Sequence, residues 1–315
     1  MHELWTEKYR PESLSDIVGQ YKVIEKLKKY KKRGSLPHLL LIGPSGVGKT
    51  SSTIALSKEI YGKNWKGNFL ELNASHRRGI KAVREEVKNA AMTTSLTEKH
   101  FKIIFIDEAE SFSNEAQSAL RRIMEKYSSN VRFVLSCNNS SKIIDPIRSR
   151  CVQLYFRPLS KDNVIEWLEM IIKNEELYIE DEAIKFLINY GKGNLREITN
   201  LLQLSSVFNK NINEEDLIEY NKFTGSEEVK RLLKDSFRKN FLEVRDKLYE
   251  LMIEEGFSGR EVLVKLHEEL FKIPMDDEIR TKIVKKMAEV DYNMLEGSND
   301  EIHLKNLLAY IRYIR

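Results

Sequence analysis

The stretch Gly43-Pro44-Ser45-Gly46-Val47-Gly48-Lys49-Thr50 constrains this chain more than any other, because it fits G-x-x-x-x-G-K-[ST], the phosphate-binding loop. Leu39-Leu40-Leu41-Ile42, just before it, is short and apolar and predicts a buried strand. Ser51 to Ile60, just after it, has helical character, with Ile54, Ala55 and Ile60 apolar. Strand, loop and helix in that order is the context the motif requires. Glycines let the backbone curl until its N–H groups point inward and cradle phosphate oxygens. The helix that starts at the loop adds its positive end. Lys49 supplies a cation for the outer phosphates, and the Thr50 hydroxyl is a ligand for Mg2+. A glycine turn without a ligand would not need the full spacing and both flanks. The stretch is therefore expected to be a nucleoside triphosphate site.

A second apolar run, Phe101-Lys102-Ile103-Ile104-Phe105-Ile106, ends in Asp107-Glu108-Ala109-Glu110. Asp107 is the expected Mg2+ holder, directly or through water, and Glu108 can polarise an attacking water. Adjacent acids at a strand end are otherwise common on surfaces, and the upstream loop is what favours the chemical reading. Val131-Arg132-Phe133-Val134-Leu135-Ser136 predicts another strand and leads to Asn138, either a turn former or a partner for the γ-phosphate. Phe69-Leu70-Glu71-Leu72 and Val152-Gln153-Leu154-Tyr155 complete a set of five strands alternating with helices. That alternation predicts a five-stranded parallel sheet with helices on both faces, binding its ligand at the carboxyl ends of the strands.

Trp5 to Pro11 reads as irregular from its Pro and mixed polarity, and the intervening helices are expected from about Tyr21, from about Ile80 to Ala91, and from about Asn114 to Tyr127. The first ends in the basic run Lys28-Lys29 and Lys31-Lys32-Arg33 before Gly34, which reads either as a DNA contact or, preferably, as a solvated face whose cations suit a helix C-terminus. After Pro158 the strand pattern stops, and helices are expected over 163–173, 181–190, 195–208 and 214–220, with a turn over 209–213. From about Phe223 an all-helical region begins, carrying Val229, Leu232, Leu233, Val244, Leu248 and Leu251. The domains expected are 1–157 for nucleotide binding, 158–222 as a small helical domain and 223–315 as a second helical one. Arg150, in Ile147-Arg148-Ser149-Arg150-Cys151, and Arg196, in Gly193-Asn194-Leu195-Arg196, are guanidiniums suited to transition-state charge or to a surface ion pair.

Composition excludes several classes. The chain has 315 residues, 41% of them hydrophobic, enough for real cores in two or three domains. Its 52 basic and 48 acidic residues leave a net charge of +4, which is no polycation but permits a local basic groove. Cys137 and Cys151 alone suggest neither a zinc site nor a disulfide framework. The charged N-terminus lacks an apolar signal core, and no apolar run is long enough for a bilayer, so a soluble intracellular protein with no membrane partner is expected.

Taken together, the motifs resemble replication factor C small subunits, members of the AAA+ clamp loaders, and are most similar to the archaeal branch. The residues that carry the resemblance include Trp5-Thr6-Glu7-Lys8-Tyr9-Arg10-Pro11, Asp16-Ile17-Val18-Gly19, Leu72-Asn73-Ala74-Ser75 and Ala119-Leu120-Arg121-Arg122-Ile123-Met124-Glu125. Ser136-Cys137-Asn138, Ser149-Arg150-Cys151, Glu289-Val290-Asp291-Tyr292 and Glu296-Gly297-Ser298-Asn299 extend it to the end of the chain. The resemblance implies an ATPase with an AAA+ domain, a helical lid and a helical collar. Tyr9, Arg10 and Val18 would border the adenine, and the loop from Gly43 through Ser51 would hold the phosphates. Asn138 would be the first sensor and Arg196 the second, while Arg150 would act in trans on a neighbour's ATP. The collar would hold a ring of five, one large and four small subunits. That ring would open a PCNA-like sliding clamp and place it on primer-template DNA. Arg78, Lys81, Arg84 and Arg121 are the implied phosphate-backbone contacts, since primer junctions occur at any sequence. A helix ending near Ala90-Ala91-Met92 would face the clamp. The archaeal branch implies a cytoplasmic protein, a eukaryotic source a nuclear one.

The sequence departs from the family in places. The family usually has Pro at Ser45 and Thr at Val47, both variable loop positions. Ser75-His76-Arg77-Arg78-Gly79 replaces two acids with basic residues, Glu110 replaces an Asp, and an aromatic often found at Ala90 is missing. These changes suit a second, divergent small subunit. Two alternatives compete with this reading: a structural subunit that binds ATP but hardly splits it, and another DNA-acting motor such as a branch-migration helicase. Retention of Lys49, Asp107, Glu108, Arg150 and Arg196 argues against the first, and the late helical region against the second.

Overall fold

The computed structural model describes residues 3–75, 85–90, 101–222, 226–238, 240–297 and 299–314. It divides into two compact units, Met1–Glu214 and Glu215–Arg315.

The first unit is built on a five-stranded parallel sheet in the order β2-β3-β4-β1-β5. Its strands are β1 (Leu39–Ile42), β2 (Phe69–Asn73), β3 (Lys102–Asp107), β4 (Val131–Cys137) and β5 (Val152–Tyr155). β1 pairs with β4 from Leu39 opposite Val134 to Ile42 opposite Cys137, and with β5 from Leu39 opposite Val152. All four residues of β1 are buried, as a central parallel strand covered on both faces requires. Alternate side chains feed two cores. Leu40, Ile104, Ile106 and Phe133 pack with Leu120 and Met124 of the helix Asn114–Lys126 on one face. Leu39, Leu41, Ile103 and Phe105 pack with Leu27 and Leu56 on the other. The order puts β1, β3 and β4 at the centre, so the segments leaving their carboxyl ends meet above the sheet.

Local signals fix the ends of the helices. Tyr21–Arg33 stops at Gly34, whose φ of +65° is a left-handed cap that glycine adopts without strain. Asn114–Lys126 starts at Ser113, whose side chain accepts the Ala116 N–H. Beyond the sheet, the helices Lys161–Glu175, Asp181–Gly191 and Leu195–Phe208 follow. Residues 85–90 are helical; the rest of the helix expected from Ile80, with the tail Ala91-Met92, lies outside the described residues.

Two expectations are corrected. The strand pattern does not stop at Pro158: Tyr178–Ile179 and Asn211–Ile212 pair as a small parallel ladder, and the second of these lies where a turn was expected. Two-residue strands are too short to show a period. The N-terminal stretch before Pro11 is not wholly irregular, because Trp5–Lys8 forms one helical turn with Trp5 buried.

The second unit is helical among its described residues. Val229, Leu232, Leu248, Leu266, Ile283 and Leu307, from the five helices Ser226–Arg238, Phe241–Tyr249, Gly259–Leu270, Asp277–Leu295 and Asp300–Tyr313, share its core. Among the described residues no helix is long and apolar enough to cross a membrane.

Candidate functional site

β1 delivers the chain to the phosphate loop. The Gly43 N–H donates to the Cys137 carbonyl at 3.1 Å, tying the loop's root to the end of β4. Gly46 and Gly48 have φ of +68° and +97°, the left-handed region where a side chain would be strained. Gly48 caps the helix Lys49–Tyr61 without a side-chain partner for the first N–H groups, which leaves that helix end suited to an anion.

Lys49 is only 8% exposed. Its Nζ donates to the carbonyls of Gly43 (2.5 Å) and Pro44 (2.6 Å) and to Asn138 Oδ1 (3.1 Å). Burial pulls its ammonium below the usual lysine range, while Asp107 and Glu110 oppose that pull. Thr50 Oγ1 donates to Asp107 Oδ2 at 3.2 Å. The other Asp107 oxygen accepts from the Ser136 hydroxyl and from the Glu108 N–H. Glu108 is exposed at the cleft, on a left-handed backbone with φ of +53°.

These groups floor a cleft that is open to solvent. Tyr9, Arg10, Val18, the loop from Ser45 to Ser51, Asp107, Glu108, Asn138 and Arg196 all line it. Gly43 and Pro44 are not among its lining residues; their carbonyls hold the Lys49 ammonium. Arg150 does not line it. Its guanidinium bonds the Pro146 carbonyl at 2.7 Å and pairs with Glu125, and its side chain is 38% exposed. Arg121 approaches the same Glu125 carboxylate at 3.8 Å. Arg78, Lys81 and Arg84 lie outside the described residues.

Sequence reasoning missed several residues that build the cleft. Glu110 Oε1 accepts the Asn138 N–H at 2.7 Å, and its Oε2 is buried with no partner among the described residues. The retained acidic character of Asp107-Glu108-Ala109-Glu110 was the available signal. Asn194 caps the helix Leu195–Phe208 by accepting the Arg196 N–H at 3.1 Å, and it packs so closely on the loop that a Cβ on Gly46 would lie 1.6 Å from its Oδ1. The Leu195 N–H then donates to the Gly46 carbonyl at 3.1 Å. Gln20 bonds the carbonyls of Val47 and Arg157, joining the loop to the segment that leaves β5. Its position after Gly19 gave no chemical hint.

The chain is similar to known proteins along its length. Residues 39–159 match the ATPase family associated with various cellular activities (AAA), and residues 225–310 match the replication factor C C-terminal domain. Residues 1–70 also match the Rad17 P-loop domain. The chain is 41% identical to the replication factor C small subunit of Methanocella arvoryzae over 98% of this chain and 96% of that one. It is 40% identical to that of Archaeoglobus fulgidus (98% and 97%) and 39% identical to that of Halobacterium salinarum (98% and 96%). The chain belongs to the replication factor C small subunits. It is an AAA+ ATPase subunit of a clamp-loader complex acting in DNA replication. The Thermotoga maritima RuvB Holliday junction branch migration motor superposes with a TM-score of 0.58 over 82% of this chain and 91% of that one, at 20% identity. At that identity the likeness is one of fold.

Proposed function

We propose that this cleft binds and hydrolyses ATP, and that hydrolysis governs a ring that opens a PCNA-like sliding clamp and leaves it on primer-template DNA. The observation that carries the reading is a pair of hydrogen bonds in the one cleft, from Lys49 to Asn138 and from Thr50 to Asp107. Tyr9, Arg10 and Val18 take the adenine, and the loop from Gly43 to Ser51 takes the phosphates. A hydroxyl and a carboxylate 3.2 Å apart are hard oxygen donors that fit Mg2+, so Thr50 and Asp107 would hold it. When bound, Mg2+ neutralises charge on the β- and γ-phosphate oxygens. Glu108 orients and polarises the attacking water. Asn138 and Arg196 approach the γ-phosphate from the sheet and from the 158–222 lid.

Arg150 serves the site of a neighbouring subunit. Its exposure, and its absence from the lining of its own cleft, support that assignment. Glu125 holds the guanidinium in the meantime, and an exposed ion pair of this kind costs little to break. Residues 223–315 form the collar of a ring of one large and four small subunits. Arg121, with Arg78, Lys81 and Arg84, contacts the phosphate backbone without reading sequence.

Arg150→Ala in the assembled complex tests the reading. Turnover at sites completed by this subunit should be lost, with about 10^3-fold as the scale for an arginine finger, while ATP still binds the variant's own loop. Unchanged turnover in the assembled ring overturns the trans assignment.

A further inference from the structure

The N-terminal stretch carries Tyr9 and Arg10 to the cleft, but neighbours in sequence do not hold it there. It is fastened twice to the helices that follow the sheet. The Trp5 N–H donates to Gln203 Oε1 at 2.9 Å, and Gln203 Nε2 donates to the Glu3 carbonyl at 3.1 Å. One amide thus clasps the strap by donor and acceptor alike, and the Trp5 side chain is buried beside it. Six residues along the sequence from Glu3, the Tyr9 hydroxyl donates to Glu175 Oε1 at 2.5 Å, and Lys8 Nζ reaches the same oxygen at 2.6 Å. Gln203 lies in the helix Leu195–Phe208, and Glu175 ends the helix Lys161–Glu175. Thr6 and Glu7, between the two fastenings, and Tyr9 line the same cleft as Trp167 and Thr199 of these two helices. Trp167 Nε1 donates to the buried Thr199 hydroxyl at 3.0 Å and so braces those helices against each other.

We infer that Glu175 and Gln203 are positioning residues for the base end of the ATP site, through which the strap moves with the lid helices and not with the sheet. The inference rests on the cleft being the ATP site. Arg196 starts on the same helix as Gln203, so the adenine wall and the second sensor share one rigid support. A lid displaced from the phosphate loop would carry the adenine wall away with it. Affinity for the whole nucleotide then depends on lid position, although the contacts to the phosphates stay with the loop.

The assembled complex, with Glu175→Ala, Gln203→Ala or both in this subunit, tests the inference against ATP and against inorganic triphosphate as a competitor. Each single change should raise the KM for ATP about fivefold, the value of one hydrogen bond, with kcat at saturation within about twofold. Inorganic triphosphate should compete as well as it does with the unaltered complex. Glu175→Gln keeps an acceptor for Tyr9 and should restore the KM to within about twofold, which a merely charged surface role would not do. An unchanged KM in the double variant overturns the inference. So does a fall in kcat with KM constant, or an equal loss of inorganic triphosphate. If Lys49→Ala abolishes hydrolysis while the strap variants are neutral, this inference alone fails. If Lys49→Ala hydrolyses normally, the ATP-site reading fails with it.

Discussion

The two ends of the cleft are held by different kinds of contact. At the phosphate end, the Lys49 ammonium is received by carbonyls five and six residues before it, on a loop whose shape comes from its own glycines. At the base end, Tyr9 is held by a carboxylate 166 residues later and Trp5 by an amide 198 residues later. Short-range contacts form with the strand and helix that flank them and are lost only when that element is lost. Long-range contacts order two separate segments, and each must offset the entropy of doing so. The phosphate end is therefore expected to set whether the chemistry occurs, and the base end how tightly the nucleotide is kept.

Lys49→Ala should show the largest effect and the clearest break between the ends. It removes a buried cation held by three acceptors. ATP affinity and turnover should both fall, on the order of 100-fold or more, as measured by nucleotide titration and steady-state hydrolysis. Retained ATP affinity would mean that the base end supplies most of the binding and would reverse the comparison.

Glu110 sharpens the comparison inside the phosphate end. Its carboxylate holds the Asn138 backbone, and Asn138 in turn meets Lys49. Glu110→Ala frees that backbone and should lower kcat about tenfold, the loss expected for one charge-assisted bond, with little change in KM. Glu110→Gln keeps an acceptor and should recover most of the rate. A double change with Asn138→Ala should cost no more than Asn138→Ala alone, because the two act as one unit. Additive losses would show that Glu110 works through something else.

Legibility in the sequence follows the same division. Leu39 to Thr50, the acids after β3 and the five alternating strands were all readable, because each is a local pattern with one physical reading. The fastenings of the strap were not. Nothing around Glu175 or Gln203 marks either residue, and their partners become neighbours only once the chain has closed over the cleft. The helical turn at Trp5–Lys8 escaped notice because four residues are too few for a period, and Trp5 is ordered by what it packs on. Tyr178–Ile179 and Asn211–Ile212 pair across two intervening helices, so a turn reading of the second was the natural local one. Arg150 is singled out in the sequence by its triplet, whereas its exposure and its partner Glu125 follow only from the fold.

The smallest effect expected lies at the far end of β1, away from both ends of the cleft, and serves to separate stability from chemistry. His38 Nδ1 accepts the Phe133 N–H at 3.0 Å, and its carbonyl accepts the Val152 N–H at 2.8 Å, so it joins β4, β1 and β5 where the strands begin. Burial, aided by the Arg132 guanidinium, pushes the imidazole down from 6.5 to about 4. The fold therefore holds this ring neutral, whereas the unfolded chain takes up a proton near its ordinary value. Stability from this residue is complete above pH 6.5 and is lost as pH falls through the window down to about 4. The loss should be no more than about 2 kcal/mol once solvent screening of a part-exposed ring is allowed for. Denaturant midpoints between pH 7 and pH 4 should fall more steeply for the natural chain than for His38→Asn, which keeps an acceptor for Phe133 and cannot titrate. ATP KM and kcat at pH 7.5 should be the same for both. Parallel midpoint curves would remove His38 as the source of the acid sensitivity, and a changed KM would mean that the foot of the sheet is mechanically coupled to the cleft.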